Sequence, residues 1–197
     1  MSFIADATRA RGPTVFTTVD SPIGKLMLTA DDVGLTGLYT NRSRDWPKTT
    51  AGWRRDDARF AAVQGQLDAY FAGSLIDFDL DLAPQGTTFQ MRVWRALCDI
   101  PLGETTSYGA LARRLGNPNA SRAVGLANGQ NPISIIVPCH RVIGADGSLT
   151  GYAGGLERKR WLLEHEGAPF REARDVREAR QTAEPAAQPV LHAAWKL

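Results

Sequence analysis

The most informative segment of the chain runs from Asn131 to Gly155 and reads N-P-I-S-I-I-V-P-C-H-R-V-I-G-A-D-G-S-L-T-G-Y-A-G-G. Its segment 133–137 is rich in β-branched residues and too short for a stable helix, which predicts a buried strand or extended segment. Such a segment would hold Cys139 on a rigid support. His140 and Arg141 follow directly, and a proton acceptor and a positive charge favour the thiolate, which is the nucleophilic form of cysteine.

Two interpretations of Cys139 remain open at this point. One is a reactive cysteine activated by its histidine neighbour. The other is a small buried hydrophobic residue, which is the usual role of a free cysteine. The Cys-His pair alone does not separate them.

The composition predicts an ordinary globular protein. The chain has 197 residues, enough for two small domains, and it contains no apolar run long enough to cross a membrane and no export leader. Its two cysteines and three histidines have no zinc-ligand spacing. We therefore expect a soluble, reduced, cytoplasmic protein that has no metal or cofactor and does not associate with membranes.

The charge is unevenly distributed along the chain. Residues 86–170 hold 9 Lys/Arg against 6 Asp/Glu, whereas residues 1–85 hold 9 against 11. The basic excess therefore lies in the segment that contains Cys139. It is compatible with a phosphate-bearing partner, although a surplus of this size also fits a solvated face.

The first half of the chain predicts a small α+β domain, residues 14–85, after a loose arm formed by residues 1–13. The patterns predict three antiparallel strands, one amphipathic helix that ends at Gly73, and an edge strand with outward-facing aspartates. These elements cover 14–19, 25–30, 35–40, 56–71 and 76–82. Nothing in this half points to catalysis, so we expect it to serve packing and support.

The second half, residues 86–170, predicts helices. An apolar stripe marks a first helix over 89–98, in which Cys98 reads as core filler. Ser107 can cap a helix that ends before Gly116, and Asn117 can cap the next helix, which ends at Gly129. Two short helices in this arrangement indicate a helix-turn-helix. A last helix is predicted over 156–165, and 171–197 reads as a tail.

The second helix of that pair is built from small residues around Arg122. Ser121, Ala123, Gly125 and Ala127 would let this helix approach another surface closely, while Arg122 reaches into it. If the surface is DNA, the arginine could meet phosphate or base. The alternative is a helix packed on its neighbour with a solvated Arg122.

Several separate motifs in this half occur together in one order. They are S-R-A-V-G at 121–125, N-P-I-S-I-I-V-P-C-H-R at 131–141, G-Y-A-G-G at 151–155 and L-L-E-H-E-G at 162–167. In sequence and spacing the chain resembles the O6-alkylguanine-DNA alkyltransferases, or methylated-DNA–protein-cysteine methyltransferases. The resemblance covers about residues 14–170 and is densest from Thr88 to Gly167.

The resemblance implies a fold and a reaction. It implies an α/β plus α architecture, in which a ribonuclease-H-like α+β domain is followed by a winged-helix-like, helix-turn-helix domain. The helix-turn-helix would bind the minor groove of double-stranded DNA as a monomer, with cooperative binding left open. A flipped alkylated base would lose its alkyl group irreversibly, from O6 of guanine and also from O4 of thymine, to Cys139. Each molecule would act once.

The resemblance also assigns roles to individual residues. His140 would relay the cysteine proton through a water and Glu166 would orient the imidazole. Tyr108 would supply a proton or hydrogen bond to the leaving base, and Asn131 would brace the turn that carries Cys139. Arg122 would fill the space of the extruded base. The base pocket would be formed by Ser134, Val142, Tyr152 and Ala153.

Two departures concern the pocket, because Ser134 stands where some relatives have proline and Ala153 where some have serine. Pocket shape and tolerance of bulky alkyl groups therefore stay open. Two rival functions also stand beside the resemblance. A DNA-binding module without transfer activity would lack the cysteine, which argues against it here. A Cys-His-Glu hydrolase would need an oxyanion hole and would turn over repeatedly.

Overall fold

The structure is a computed structural model, and it describes residues 2–3, 11–41, 46–48 and 50–172. Strands and helices are numbered in chain order. The strands are Ser2–Phe3 (β1), Val15–Val19 (β2), Leu26–Ala30 (β3), Leu35–Thr40 (β4), Arg54–Arg55 (β5), Asp81–Leu82 (β6), Thr106–Ser107 (β7) and Val142–Ile143 (β8). The helices are Ala61–Phe71 (α1), Thr88–Cys98 (α2), Tyr108–Arg114 (α3), Ser121–Gly129 (α4) and Leu156–His165 (α5).

The first half of the chain forms a mixed six-stranded sheet in the order β1-β6-β4-β3-β2-β5. Strands β2, β3 and β4 pair antiparallel, which confirms the predicted meander. The short strands β5 and β6 add in parallel to β2 and β4. The sheet therefore has a meander at its centre and parallel additions at its edges.

Two predictions for this half need correction. The predicted edge strand over 76–82 is reduced to β6, and β1 pairs with it from the outside, so β6 is not an edge among the described strands. The predicted loose arm is tied down at both of its described parts, by β1 and by an ion pair between Arg11 and Asp31 at 2.8 Å. Both differences come from pairing between distant segments, which a local pattern does not contain.

Helices α1, α2 and α5 form where the apolar stripes predict them. The start of α2 carries a capping box, which was not predicted. Thr87 Oγ1 accepts a hydrogen bond from the backbone N–H of Gln90, and Gln90 Oε1 accepts one from the backbone N–H of Thr87. Gly73 and Gly167, at φ +72° and +66°, allow the left-handed turns after α1 and α5. None of the helices in the described ranges is long and apolar enough to cross a membrane.

The two short helices α3 and α4 lie where the sequence predicts them, with one difference at the start of α4. Ser107 caps α3 by accepting a hydrogen bond from the Ala110 N–H, as predicted. Asn117 makes no side-chain capping bond, because residues 118–120 form a separate 3-10 turn before α4 begins at Ser121. Pro118 therefore starts this turn rather than the α-helix.

The core is continuous between the two halves. Buried residues of β3, β4 and α1 belong to the same hydrophobic cluster as those of α2 and of segment 133–137. Segment 132–134 also bonds to β4 directly, because Leu38 donates to Pro132 O and accepts from the Ser134 N–H, at 2.8 and 3.0 Å. The segment that carries Cys139 is thereby docked on the sheet of the first half.

Candidate active site

The segment before Cys139 is buried, but it is not the strand that the sequence predicts. Ile133 makes one isolated bridge to Leu38, and the chain then turns through Ile135, whose φ is +72°. A left-handed conformation is strained for a β-branched residue and is kept only where surrounding contacts impose it. Here Asn131 supplies such contacts, since its side chain donates to Val137 O at 2.8 Å and accepts from the Ile133 N–H at 3.0 Å.

Cys139 begins a 3-10 turn and is only 4% exposed. Its carbonyl accepts a hydrogen bond from Asn128 Nδ2, at 3.3 Å. Burial raises the pKa of the Cys139 thiol, while Asn131 and the Lys159 ammonium oppose that rise. The resting protein therefore holds a thiol at neutral pH. A nearby base must take its proton before the sulfur can act as a strong nucleophile.

The sequence predicts His140 as that base, and Glu166 holds the His140 ring in one tautomer. His140 is fully buried, and its Nε2 lies 2.9 Å from Glu166 Oε1. Burial alone would raise the pKa of Glu166, but His140 and Arg141 outweigh it and lower that pKa, so the carboxylate is ionised. An ionised carboxylate only accepts, so Nε2 carries the hydrogen. Nδ1 is then a free acceptor, buried and without a partner among the described residues.

Arg141 does not have the role that the sequence suggested. Its Nε and Nη2 donate to the two oxygens of Glu166, at 2.8 and 2.9 Å, and Nη1 donates to Ile100 O. The guanidinium is thus committed to Glu166 in a forked ion pair. It fixes the carboxylate, and a different residue supplies positive charge near the sulfur.

That residue is Lys159, which the sequence reasoning missed. It is fully buried on α5, and its Nζ donates to Val142 O at 2.6 Å and to Thr150 O at 2.7 Å. Burial lowers the pKa of Lys159 to about 8, and the cysteine opposes this. Lys159 lies three and four positions before the buried Leu162 and Leu163. A lysine on the apolar stripe of a helix is the signal that could have identified it.

A cavity of about 530 Å³ opens between α3, α4 and the loop before α5. Four of the predicted site residues line it: Tyr108, Gly125, Tyr152 and Ala153. Thr150 and Gly151 complete the loop side, and the Tyr108 hydroxyl donates to Gly151 O at 3.4 Å. Burial raises the pKa of Tyr108, so this hydroxyl is a donor at neutral pH.

The other two predicted pocket residues lie outside the lining of this cavity. Val142 is fully buried, and its carbonyl already accepts from Lys159. Ser134 is bound through its N–H to Leu38 of β4. Ser134 nevertheless acts on Tyr152 of the lining through its side chain, so the part of both residues in the base pocket stays a prediction.

The loop that forms one wall of the cavity is fastened to the first half of the chain. Arg158 donates to Gly154 O in this loop, to Ile23 O and to Asn41 Oδ1, at 2.8, 2.9 and 2.7 Å. One guanidinium therefore joins the cavity wall to the turn before β3 and to the residue that follows β4.

The predicted DNA-binding residues divide between the two faces of α4. Arg122 and Ala123 are exposed, and Ser121 and Gly125 are half-buried. Ala127 is buried, and its carbonyl accepts from Trp94 Nε1, so its predicted place on the contact surface is wrong. Leu126, which the sequence analysis did not single out, is 64% exposed one turn after Arg122. Its place opposite the buried residues at 124, 127 and 128 could have identified it.

The arrangement combines a buried thiol, an imidazole with a free nitrogen, and a carboxylate that fixes the imidazole. These are the group types that a cysteine nucleophile with a general base requires. Cys139 acts electrostatically on Tyr108 and Tyr152, which line the cavity. Helix α4 borders this cavity and also carries the exposed Arg122 and Leu126. Fold and site together define a two-part α/β protein with a nucleophilic cysteine beneath a helical surface.

Comparison with known proteins identifies the family. Residues 14–84 match "6-O-methylguanine DNA methyltransferase, ribonuclease-like domain", and residues 88–168 match "6-O-methylguanine DNA methyltransferase, DNA binding domain". The chain belongs to the 6-O-methylguanine DNA methyltransferase family. The resemblance seen in the sequence is thereby confirmed.

Individual relatives agree with this assignment. The methylated-DNA–protein-cysteine methyltransferase of Mycolicibacterium paratuberculosis is 57% identical over 148 residues, which are 75% of this chain and 89% of the relative. The protein of that name from Methanosarcina acetivorans is 52% identical over 76% of this chain and 96% of its own. The crystal structure of Mycobacterium tuberculosis OGT in complex with DNA superposes with a TM-score of 0.73 at 54% identity. It covers 79% of this chain and 95% of its own.

Proposed function

We propose that this protein repairs DNA by transferring the alkyl group of an alkylated base, such as O6-methylguanine, to Cys139 in a single irreversible turnover. The observation that carries the proposal is the buried His140, whose Nε2 is fixed by Glu166 while its Nδ1 is free to accept a proton. The names and reactions of the relatives support the substrate class.

The transfer is a displacement at the methyl carbon. The thiol proton passes to His140 Nδ1 through a bridging water, and the sulfur then attacks the carbon. One S–C bond forms as the C–O6 bond breaks, and the bond's electron pair stays on the guanine. The imidazolium formed is stabilised by Glu166. Because water does not displace a thiolate from the unactivated methyl carbon of the thioether formed, the cysteine is not regenerated and the protein acts once.

The leaving base acquires negative charge and needs a donor. Tyr108 lies in the cavity wall with a protonated hydroxyl, and it supplies a hydrogen bond or a proton to the departing guanine. The same step applies to O4-alkylthymine, whose oxygen leaves in the same way. Lys159 adds a positive charge that favours the thiolate while the bond forms.

The damaged base reaches the cavity only if it leaves the duplex. Helices α3 and α4 form a helix-turn-helix in a winged-helix-like domain, and α4 enters the minor groove. Arg122 fills the space left by the flipped base, and Ser121, Ala123 and Gly125 permit close approach. The exposed Leu126 on the same face adds an apolar contact to the sugars.

The domain bounds, the oligomeric state and the location of the protein differ in their support. The matched ranges support domains of 14–85 and 86–170. Monomeric action, cooperativity on DNA and a cytoplasmic location stay predictions. Residues 173–197, which include most of the predicted tail, lie outside the described residues.

Intact mass spectrometry tests the proposal directly. After incubation with a duplex containing O6-methylguanine, we expect the protein to gain one methyl group, located on the peptide that contains Cys139. The gain stops at one per molecule. Sustained formation of unmodified guanine duplex without a change in protein mass would contradict the proposal and favour a hydrolase.

The Arg122→Ala variant tests the flipping step. We expect capture of the lesion in duplex DNA to slow by about tenfold, because the extruded base is no longer replaced in the stack. Reaction with the free base O6-methylguanine stays unchanged, since a free base needs no flipping. The measurement is the single-turnover rate on both substrates. The control variant is Arg113→Ala, which removes the same charge from an exposed position on α3. Equal losses on duplex and free base would rule out this role of Arg122.

A further inference from the structure

A side chain from the first half of the chain reaches the centre of the proton relay. Tyr70 lies at the end of α1, and its hydroxyl donates to Glu166 Oε1 at 2.8 Å, across 96 positions of sequence. Tyr70 is 1% exposed and the Glu166 side chain is fully buried, so water does not compete for this bond. The sequence pattern assigns Tyr70 only to an apolar stripe. A buried tyrosine differs from phenylalanine in needing a partner for its hydroxyl.

Tyr70 holds the end of α5 at a second point. His165, the neighbour of Glu166, places its Nε2 2.7 Å from the Tyr70 carbonyl, which can only accept. The ring of His165 meets the Tyr70 ring edge-on at 5.2 Å, and Phe78 packs at 5.5 Å on the same tyrosine. The end of α1 thus fixes the last residue of α5, His165, and the next residue, Glu166, which is the acid of the relay.

The hydroxyl completes the hydrogen bonds of the carboxylate. Glu166 Oε1 accepts from Tyr70, His140 Nε2 and Arg141 Nη2, and Oε2 accepts from Arg141 Nε. Three of these four donors converge on Oε1, so both oxygens of the carboxylate are held and its orientation is fixed. Burial and the Glu166 charge raise the pKa of Tyr70, which keeps the hydroxyl a donor throughout the working range of pH.

From these contacts we infer that Tyr70 is a positioning residue for alkyl transfer, because it fixes Glu166 in the orientation that presents His140 to Cys139. The first half of the chain therefore contributes to the reaction and is more than a support. The inference rests on the proposed function, since it concerns how fast Cys139 loses its proton to His140.

The Tyr70→Phe variant removes one oxygen and keeps the ring. We expect the single-turnover rate with O6-methylguanine duplex to fall roughly tenfold at its pH plateau, as expected for a lost bond to a charged group. The acid limb of the pH–rate profile moves to higher pH, because Glu166 then concentrates its charge on His140 and raises the pKa of that ring. The other charged groups that act on His140, Arg141 and Lys159, are unchanged in this variant.

Two controls separate positioning from simple loss of packing. Phe71→Leu alters the same aromatic cluster, 5.3 Å from the Tyr70 ring, without touching Glu166. We expect it to lower thermal stability and to leave the pH–rate profile in place. In the background of Glu166→Gln, Tyr70→Phe should cause no further loss of rate, because both act through one group.

The outcomes are distinct from failure of the proposed function. Methylation of the wild-type protein at Cys139 establishes that function independently of any Tyr70 variant. A Tyr70→Phe profile that superimposes on the wild-type profile would overturn the inference. Additive losses in the double variant would overturn it as well, since they would mean that Tyr70 acts independently of Glu166.

Discussion

Replacement of Cys139 with serine is expected to abolish alkyl transfer, with a loss of at least about a thousandfold in single-turnover rate. The alcohol is a far weaker acid and a poorer nucleophile at carbon than the thiol, and His140 cannot compensate for this difference. The fold should persist, because the contact of Asn128 is with the backbone carbonyl of residue 139 rather than with its side chain. The measurement is the mass of the protein after incubation with O6-methylguanine duplex.

The second cysteine of the chain provides the matched control. Cys98 is half-buried at the end of α2, and burial raises the pKa of its thiol to about 12. Cys98→Ser should therefore gain one methyl group at the wild-type rate. DNA affinity should be unchanged in both variants, because the exposed face of α4 is intact. Methylation of Cys139→Ser, or its loss in Cys98→Ser, would show that the acceptor is misassigned.

The Glu166→Gln variant is expected to lose both stability and activity. The substitution leaves Arg141 buried without its counter-charge and places an amide donor among four donors. Breaking a buried ion pair in this way costs about 3–5 kcal/mol of unfolding free energy. The transfer rate should fall about a hundredfold, because the imidazolium loses its stabilising charge. Urea unfolding and single-turnover kinetics measure the two effects.

The substitution Glu164→Gln, two positions earlier on α5, removes an equal charge at an exposed position. It should change the unfolding free energy by no more than about 0.5 kcal/mol and leave the rate unaltered. Equal effects of the two substitutions would contradict the assignment, since they would indicate a response to net charge rather than to the buried network.

The pH dependence of stability gives Glu166→Gln a further signature. The pKa of Glu166 is lowered in the folded protein, so its contribution is fully present above the unfolded value of about 4.3 and is lost as pH falls below it. The stability gap between wild type and Glu166→Gln should therefore narrow below about pH 4. His140 lowers the free energy of unfolding of both proteins below about pH 6.5. Burial lowers the pKa of His140 and keeps its ring neutral in the folded protein, while the same ring binds a proton in the unfolded chain.

Patterns of short range account for most of the elements that the sequence predicted correctly. The meander β2–β4 follows from β-prone runs between turn residues, and α1, α2 and α5 follow from apolar stripes that end near glycines. The hydroxyl of Ser107 caps α3 because capping depends on residues three apart. Such features need only local geometry, so one sequence is sufficient to predict them.

The predictions that failed are those in which distant contacts override local preference. Segment 133–137 has the composition of a strand, but Asn131 and the bridge to Leu38 turn it back on itself. The strand predicted over 76–82 shortens because most of it finds no partner strand. Ala127 faces Trp94 rather than solvent, which only the packing of α2 on α4 decides.

Contiguous motifs of the sequence identified the family and predicted the reactive cysteine, its adjacent histidine and Glu166. The contacts that join these groups, and the parts of Tyr70 and Lys159, came from the three-dimensional fold alone. Glu166 meets His140 across 26 positions and Tyr70 meets Glu166 across 96, while Arg141 binds Glu166 and Lys159 supplies the positive charge that acts on Cys139. The physical reason is that proton transfer depends on hydrogen bonds in three dimensions, and these join residues whose order along the chain carries no record of their distance.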